Sequence, residues 1–197
     1  MTSLFVDGFS STLKNQEPKL IMNLESMAIE LPAFHGHPNR EPFRGVLTLV
    51  DTPSDKPPAG SRGHRVVLTR AAAERALPSL LGMALDYSPL LDRHDVRRKV
   101  GVITRAEIVG KAVELSGYLF AKDFPEIVRQ IENGAMHASS AARRRPQSPL
   151  GMSYEISDAN VADVRARIWT LTRVTFTGAA ILRRDKAAYR DTWIELD

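Results

Sequence analysis

One serine in an apolar segment and one histidine in an acidic segment have the residue types and surroundings for covalent chemistry. Ser153 lies in LGMSYEI, and the glycine two positions before it permits close approach of another backbone. His94 lies in LLDRHDVRRKVGVI beside Asp92 and Asp95, and neighbouring carboxylates make an imidazole more basic. A serine nucleophile needs such a base and a polar cradle for the oxyanion. Together the two residues could perform acyl transfer.

Neither motif decides this chemistry by itself. Composition alone does not choose the base among the chain's five histidines, which are His35, His37, His64, His94 and His137. The segment around Ser153 is not the G-x-S-x-G elbow of the α/β-hydrolases, because Glu155 replaces the second glycine. A solvated charged turn and an ordinary strand serine are the structural alternatives.

Metal and thiol chemistry are not expected. His35 and His37 have a spacing that metals use, but the sequence nearby offers no third ligand. The chain has no cysteine, which excludes disulfides, thiolate zinc sites and a cysteine nucleophile. We therefore predict neither a metal nor another cofactor.

Charge and hydropathy give weaker indications about partners. The net charge of +4 is spread over arginines interleaved with acids, which favours an ordinary basic surface over nucleic-acid binding. The run Arg143–Arg145 is predicted to be a solvated loop; contact with nucleic acid or an acidic scaffold, and self-cleavage, are its alternatives. No apolar run approaches the roughly 20 residues of a membrane span, and no signal peptide is expected.

The elements around these residues are mostly predicted strands. Alternating apolar residues, bounded by turn residues, predict strands at 43–50, 64–69, 150–157 and 167–182. The last of these is either one long strand or two strands broken near Gly178, and a hairpin is predicted to turn near Gly110. Helices are predicted at 70–84, capped by Thr69 and interrupted at Pro78, and at 123–135, from the Asp123 cap to Gly134.

The remaining segments are predicted to lack regular structure or to end the chain. Loops are predicted at 51–63 and 136–149, and LDYSP is also predicted to be loop-like. A short terminal helix is predicted at 183–197. Strands dominate without a β–α–β alternation, which indicates an α+β fold with a mainly antiparallel sheet or barrel. We expect a flexible arm at 1–40, a domain at 41–190 and a tail at 191–197.

The order of these segments resembles a known family. The chain is similar to the prohead proteases of tailed phages, which share a fold with the herpesvirus assemblins. The similarity lies in the order of its segments, which is RHD, VGVI, the hairpin, AKDFPEIVRQIENG, LGMSYEI and TGAAILRRDKAAY. The resemblance spans residues 43–190. It implies an assemblin-like fold in which Ser153 is the nucleophile and His94 is the general base.

The resemblance does not supply the group that orients His94. Assemblins have a second histidine on the strand after the nucleophile, and many phage relatives have an acid there, whereas here Arg173 or Thr175 occupies the slot. The orienting group is left open, and a Ser–His dyad is one alternative. The candidates are Thr175, Asp92, Asp95, Asp158 and Asp163.

Two arginines after the last long strand complete the resemblance. Arg183 and Arg184 are similar to the arginine pair that helps to form the assemblin oxyanion site, and a basic strand end on the surface is the alternative. The implied function is a serine endopeptidase. It would cut scaffold, the major capsid protein or both, and also itself, inside the assembling procapsid in the host cytoplasm, and it would self-associate as a dimer. The rival function is an inactive assembly or scaffolding protein that keeps the protease fold.

Overall fold

The computed structural model describes residues 36–136 and 149–197. This part of the chain contains eight strands, two α-helices and one 3-10 turn, Leu77–Leu80. The strands are β1 (Glu41–Leu49), β2 (Arg65–Leu68), β3 (Ala84–Tyr87), β4 (Lys99–Val109), β5 (Ala112–Leu119), β6 (Leu150–Val161), β7 (Ile168–Arg183) and β8 (Trp193–Leu196). The helices are α1 (Arg70–Ala76) and α2 (Pro125–Met136). The α+β class follows directly.

All eight strands form one sheet in the order β2-β7-β3-β4-β5-β1-β8, with β6 paired to β7. β7 is 16 residues long, so β2 and β3 pair along one of its edges while β6 pairs along the other. β2 and β3 run parallel to β7, and the remaining pairs are antiparallel. The sheet is therefore mixed rather than purely antiparallel.

Both predicted helices are present, but the first is shorter than the predicted 70–84, since its α-helical part ends at Ala76 and the following 3-10 turn ends at Leu80. Thr69 Oγ1 accepts a hydrogen bond of 3.2 Å from the Ala72 backbone N–H and so caps α1, and the chain tightens into the 3-10 turn at Pro78. α2 begins at Pro125, two residues after the predicted cap at Asp123, and continues past Gly134 to Met136. Neither helix of the described residues is long and apolar enough to cross a membrane.

The strand predictions are confirmed for β1, β2, β4, β5, β6 and β7, and β7 runs unbroken through Gly178. Two segments differ. LDYS was predicted to be loop-like, but Ala84–Tyr87 forms β3 between β4 and β7; four residues are too few to show an alternating pattern.

The second difference is at the C-terminus, where the predicted terminal helix is wrong. Trp193–Leu196 forms β8 and pairs with Phe43–Val46 of β1, so the segment expected to be a tail is an edge strand of the sheet. Gly45 permits this pairing, because a Cβ there would lie 2.4 Å from the Trp193 carbonyl oxygen. The expected arm lies outside the described residues except for 36–40, as does most of the predicted loop at 136–149.

The two faces of the sheet around β6 have different characters. Met152, Tyr154 and Ile156 pack into or against the core. Because side chains alternate along a strand, Ser153 and Glu155 lie on the opposite, outer face of β6. The core therefore fixes the strand while leaving both polar side chains outside the apolar interior.

Candidate active site

The segment that joins β3 to β4, residues 88–98, carries His94 and is called the His94 loop. Its backbone is tied to the end of β7, where Arg183 N–H donates to the Leu91 carbonyl at 2.7 Å. Within the loop, Ser88 Oγ lies 2.9 Å from Asp92 Oδ1 and accepts from the Asp92 N–H at 3.3 Å. The loop is thus attached to the sheet beside β7.

The buried carboxylate of Asp86, on β3, holds the loop near its centre. Its side chain is fully buried. Asp86 Oδ1 accepts a hydrogen bond of 3.1 Å from the Asp95 backbone N–H, and Oδ2 lies 3.5 Å from Lys99 Nζ on β4. The residue next to His94 in sequence is therefore fixed to the sheet by a charged hydrogen bond.

His94 meets an acidic side chain that comes from β6. Its Nδ1 lies 3.2 Å from Glu155 Oε1. Because a carboxylate oxygen only accepts, this contact places the proton on Nδ1 and leaves the lone pair on Nε2. Nε2 makes no hydrogen bond to any described residue, and the side chain is 26% exposed. An imidazole in this state can act as a general base.

Ser153 is placed by β6 on the same face as Glu155. The two residues are two positions apart on the strand, a separation of about 6.7 Å between their Cα atoms. Across the sheet, Ser153 is in register with Ala180 of β7, and Ala180 is in register with Asp86 of β3. Within 36–136 and 149–197 the Ser153 hydroxyl makes no hydrogen bond, including none to His94.

A glycine on β7 lets Glu155 extend across the sheet. Gly178 is the register partner of Glu155, and a Cβ on it would lie 2.6 Å from Glu155 Oε2. With no side chain in that position, the Glu155 carboxyl passes over β7 toward Asp86. The oxygen and nitrogen atoms that Asp86, His94 and Glu155 present to one another all lie within 4.8 Å.

The surroundings raise the pKa of Glu155. Burial contributes most, followed by the charge of Asp86 and a hydrogen bond with it, and His94 and Lys99 oppose these effects. Two carboxyl groups in contact share a proton more readily than they both ionise. The physical cause of the raised pKa is therefore a desolvated carboxyl pair, partly neutralised by neighbouring cations.

The same three residues have the spacing of a set of metal ligands. Two contacts favour a hydrogen-bonded network instead. The Lys99 ammonium already lies beside Asp86, and His94 Nδ1 is in direct contact with Glu155. We interpret the cluster as an acid–base network.

Among the described residues, none of the five candidates for the orienting group forms a hydrogen bond or ion pair with the His94 ring. Asp92 contacts Ser88, and the Asp95 carboxylate accepts from Arg97 N–H at 3.1 Å. Asp158 and Asp163 are exposed and form local contacts, and Thr175 is in register with Ser157, four residues beyond Ser153. The residue in contact is Glu155.

Sequence reasoning missed Glu155, although the signal was present. A serine and an acid two positions apart on a predicted strand share a face, as Ser153 and Glu155 do. The family resemblance instead indicated the slot on the next strand, at Thr175. Asp86 gave no signal, because its segment was predicted to be a loop.

The two arginines proposed for oxyanion support have their backbone N–H groups engaged. Arg183 N–H donates to Leu91, and Arg184 N–H donates to the Pro149 carbonyl at 2.8 Å. The Arg183 guanidinium contacts Asp185 at 3.2 Å. Arg184 instead lines a cavity of about 430 Å³ with Lys56, Pro149, Asp185 and Arg190. Use of either backbone group as an oxyanion donor would require one of these bonds to open.

The other described histidines have structural contacts. The ring of His64 stacks on Trp169 with centroids 4.5 Å apart. His37 Nδ1 accepts from the Asn39 N–H at 3.2 Å. His35, His137 and Arg143–Arg145 lie outside the described residues. His94 is therefore the described histidine that contacts a carboxylate.

Comparisons with known proteins give matches among solved structures. No family model matches the chain, and no curated protein matches it. Among solved structures, the chain is similar to a KSHV protease in complex with a hexapeptide phosphonate inhibitor, with a TM-score of 0.39 and 12% identity. The match covers 72% of this chain and 59% of the protease chain. A likeness of this degree does not identify a reaction, so the chemistry must follow from this chain's own side chains.

Proposed function

We propose that this chain is a serine endopeptidase in which Ser153 is the nucleophile, His94 the general base and Glu155 the orienting acid. The observation that supports this most is the 3.2 Å contact between His94 Nδ1 and Glu155, with Ser153 on the same face of the same strand. An imidazole held through Nδ1 presents Nε2 as the base, which is the arrangement that acyl transfer requires.

The mechanism is ordinary acyl-enzyme chemistry. His94 Nε2 takes the proton from the Ser153 hydroxyl as Oγ bonds to the scissile carbonyl carbon. The imidazolium then gives that proton to the departing amine, and the C–N bond breaks. Water attacks the acyl group in the second half, with His94 again accepting and returning the proton, and Ser153 is released. Glu155 stabilises the imidazolium and fixes its tautomer throughout.

The reaction requires Ser153 to approach His94 more closely than it does in this structure. Catalytic hydrogen bonds are often long without substrate and shorten in the complex. Side chains would carry this adjustment, since the His94 side chain is 26% exposed while the backbone of the His94 loop is held at Leu91 and Asp95.

The biological setting we propose comes from the sequence resemblance to prohead proteases. The substrates would be scaffold, the major capsid protein and the chain itself, inside an assembling procapsid in the host cytoplasm. The enzyme would act as a dimer. Co-expression of the chain with a procapsid's capsid and scaffold proteins tests this, and unprocessed substrates would contradict the setting but not the chemistry.

The chemistry is tested by labelling with a fluorescent fluorophosphonate, which reacts with activated serines. Labelling is expected in the native chain and is expected to be lost in Ser153→Ala and in His94→Ala. Ser157→Ala is the matched control, since Ser157 lies on the same strand, is exposed and contacts Asp158. Labelling that persists in Ser153→Ala would overturn the proposal.

A second function follows from one observation. The Ser153 hydroxyl is not hydrogen-bonded to His94 among the described residues, which is also what an inactive assembly protein with a retained protease fold would show. Such a protein would bind capsid components without cleaving them. It would show no labelling of Ser153 under any condition that keeps it folded, including assembly with its partners.

A further inference from the structure

We propose that Asp86 is a positioning residue for the Ser153–His94–Glu155 site. Its buried carboxylate holds the His94 loop through Asp95 and holds the Glu155 carboxyl where it meets the imidazole. This inference rests on the proposed function and deepens it. Asp86 does not touch substrate in this arrangement, because its side chain is fully buried.

The burial of Asp86 requires an explanation that stability does not give. Removing a carboxylate from water costs several kcal/mol, and well-packed apolar residues often serve stability as well as a buried ion pair does. Asp86 nevertheless lies at 0% exposure and depends on the Asp95 N–H and the Lys99 ammonium for its contacts. A charge kept in this position organises the groups around it.

The geometry shows what Asp86 organises. Asp86 is in the same cross-strand row as Ala180 and Ser153, and Glu155 reaches it diagonally over Gly178. One oxygen of Glu155, Oε1, is directed at His94, while Oε2 lies over Gly178. Asp86 therefore bonds the loop on one side and meets the orienting acid on the other, which fixes the relative position of the base and its acid.

The charges that face this network come from four elements. β3 supplies Asp86, β4 supplies Lys99, and β6 supplies Glu155. The His94 loop supplies His94 and Asp95, and the Asp95 carboxylate turns away toward Arg98 at 3.8 Å. β7 contributes only Gly178 and Ala180 here. A proton shared between Asp86 and Glu155 leaves one negative charge next to Lys99 and an acceptor oxygen for His94.

The direct test is Asp86→Asn in the full chain. An amide keeps the size and an oxygen acceptor for the Asp95 N–H but removes the charge. We expect the maximal rate of fluorophosphonate labelling to fall by about 10- to 100-fold, as small displacements of catalytic groups do, with the probe's apparent affinity unchanged. The acidic limb of the labelling rate should move to lower pH, because the charge of Asp86 is one cause of the raised pKa of Glu155 and has been removed.

Asp123→Asn is the matched control. Asp123 also accepts a hydrogen bond from another segment, at 2.8 Å from Asn39, but lies two residues before α2. Its labelling rate and pH profile should equal those of the native chain. Equal rates and equal profiles for Asp86→Asn and the native chain would overturn the proposal.

A second variant tests the same idea without changing Asp86, in case Asp86→Asn fails to fold. In Gly178→Ala the new methyl would lie 2.6 Å from Glu155 Oε2, so the carboxyl must leave its place over β7. The maximal labelling rate should fall by a similar factor of about 10 to 100. Thr177→Ala, an exposed neighbour on the same strand, is its control. A native rate in Gly178→Ala would contradict the positioning role.

The two proposals fail in different ways. If Ser153→Ala keeps its labelling, the proposed function is wrong whatever Asp86 does. If Ser153→Ala loses labelling while Asp86→Asn and Gly178→Ala behave as native, only the positioning role is wrong. If zinc or EDTA changes the labelling of the native chain but not that of Asp86→Asn, the cluster is a metal site. That result would also overturn the positioning role of Asp86.

Discussion

At the scale of single residues, the site is defined by one hydrogen bond. His94 and Glu155 are 61 positions apart in sequence and 3.2 Å apart in space. The contact determines which ring nitrogen is protonated. In the proposed mechanism it gives the orienting role to Glu155, two residues after Ser153, rather than to a residue on the following strand. Glu155 is therefore the residue whose replacement is most informative.

Glu155→Gln should lower the rate of Ser153 labelling by about 10⁴-fold, the size of the effect when the orienting acid of a serine hydrolase is lost. The amide can donate to Nδ1 and so favours the wrong imidazole tautomer. Labelling kinetics measure the effect, with Glu107→Gln as control, since the Glu107 side chain is 45% exposed and forms an ion pair with Arg105. A loss below about 3-fold would mean that the site works as a Ser–His dyad.

The raised pKa of Glu155 also predicts how folding depends on pH. A carboxyl whose pKa is higher in the folded chain than in the unfolded chain stabilises the fold fully below about 4.3, its ordinary value, and that stabilisation is lost as pH rises through the folded value. Urea unfolding of the native chain and of Glu155→Gln should be compared from about pH 4.5 to about pH 7.5. The free energy of unfolding of the native chain should fall more with rising pH than that of Glu155→Gln. Parallel curves for the two proteins would contradict the raised pKa of Glu155.

At the scale of elements, β6 connects the core to the site. One face of β6 packs inward through Met152, and the other carries Ser153 and Glu155. The edge of β6 that does not pair with β7 is held at Met152, whose N–H donates to Thr192 Oγ1 at 3.2 Å. Thr192 in turn donates to the Tyr189 carbonyl at 2.9 Å, and its side chain is fully buried.

Thr192→Val should lower the free energy of unfolding by about 1–3 kcal/mol, because it leaves the buried Met152 N–H without an acceptor while keeping the side-chain shape. Thr192→Ser keeps the hydroxyl and is the control. Chemical denaturation measures both. If the two variants are equally stable, the hydroxyl does not hold β6, and the strand is fixed by its pairing with β7 alone.

At the scale of the whole described chain, the first strand and the last strand are neighbours at one edge of the sheet. β8 pairs with β1, and the Ile194 side chain of β8 is fully buried. Arg44 of β1 forms ion pairs with Glu195 at 2.6 Å and with Asp197 at 3.0 Å. The two ion pairs of Arg44 are partly exposed and contribute little to stability. The burial of Ile194 is therefore the main contribution of β8 to the stability of the fold. The sheet that carries the site is complete only when the C-terminal strand is in place.

Ile194→Ala should lower the unfolding free energy by about 2–5 kcal/mol, the range for a large apolar side chain removed from a core. Val109→Ala, at a position 50% exposed, should change it by less than about 0.5 kcal/mol. Thermal or chemical unfolding compares them. A small effect at Ile194 would show that β8 is not required for the fold.

The sequence by itself determined most strands and both helices, because alternation, capping residues and glycine–proline punctuation are local signals. Ser153 and His94 were proposed from the order of segments, which resembles that of the prohead proteases, and their roles remain a prediction. Tertiary structure decided three things. Ala84–Tyr87 and Trp193–Leu196 became strands because their partners, β7 and β1, lie far away in the chain. Glu155 became the partner of His94 because Gly178 leaves room above β7. Asp86 joined them because a buried carboxylate must find its hydrogen bonds wherever the fold supplies them, and no local pattern encodes that position.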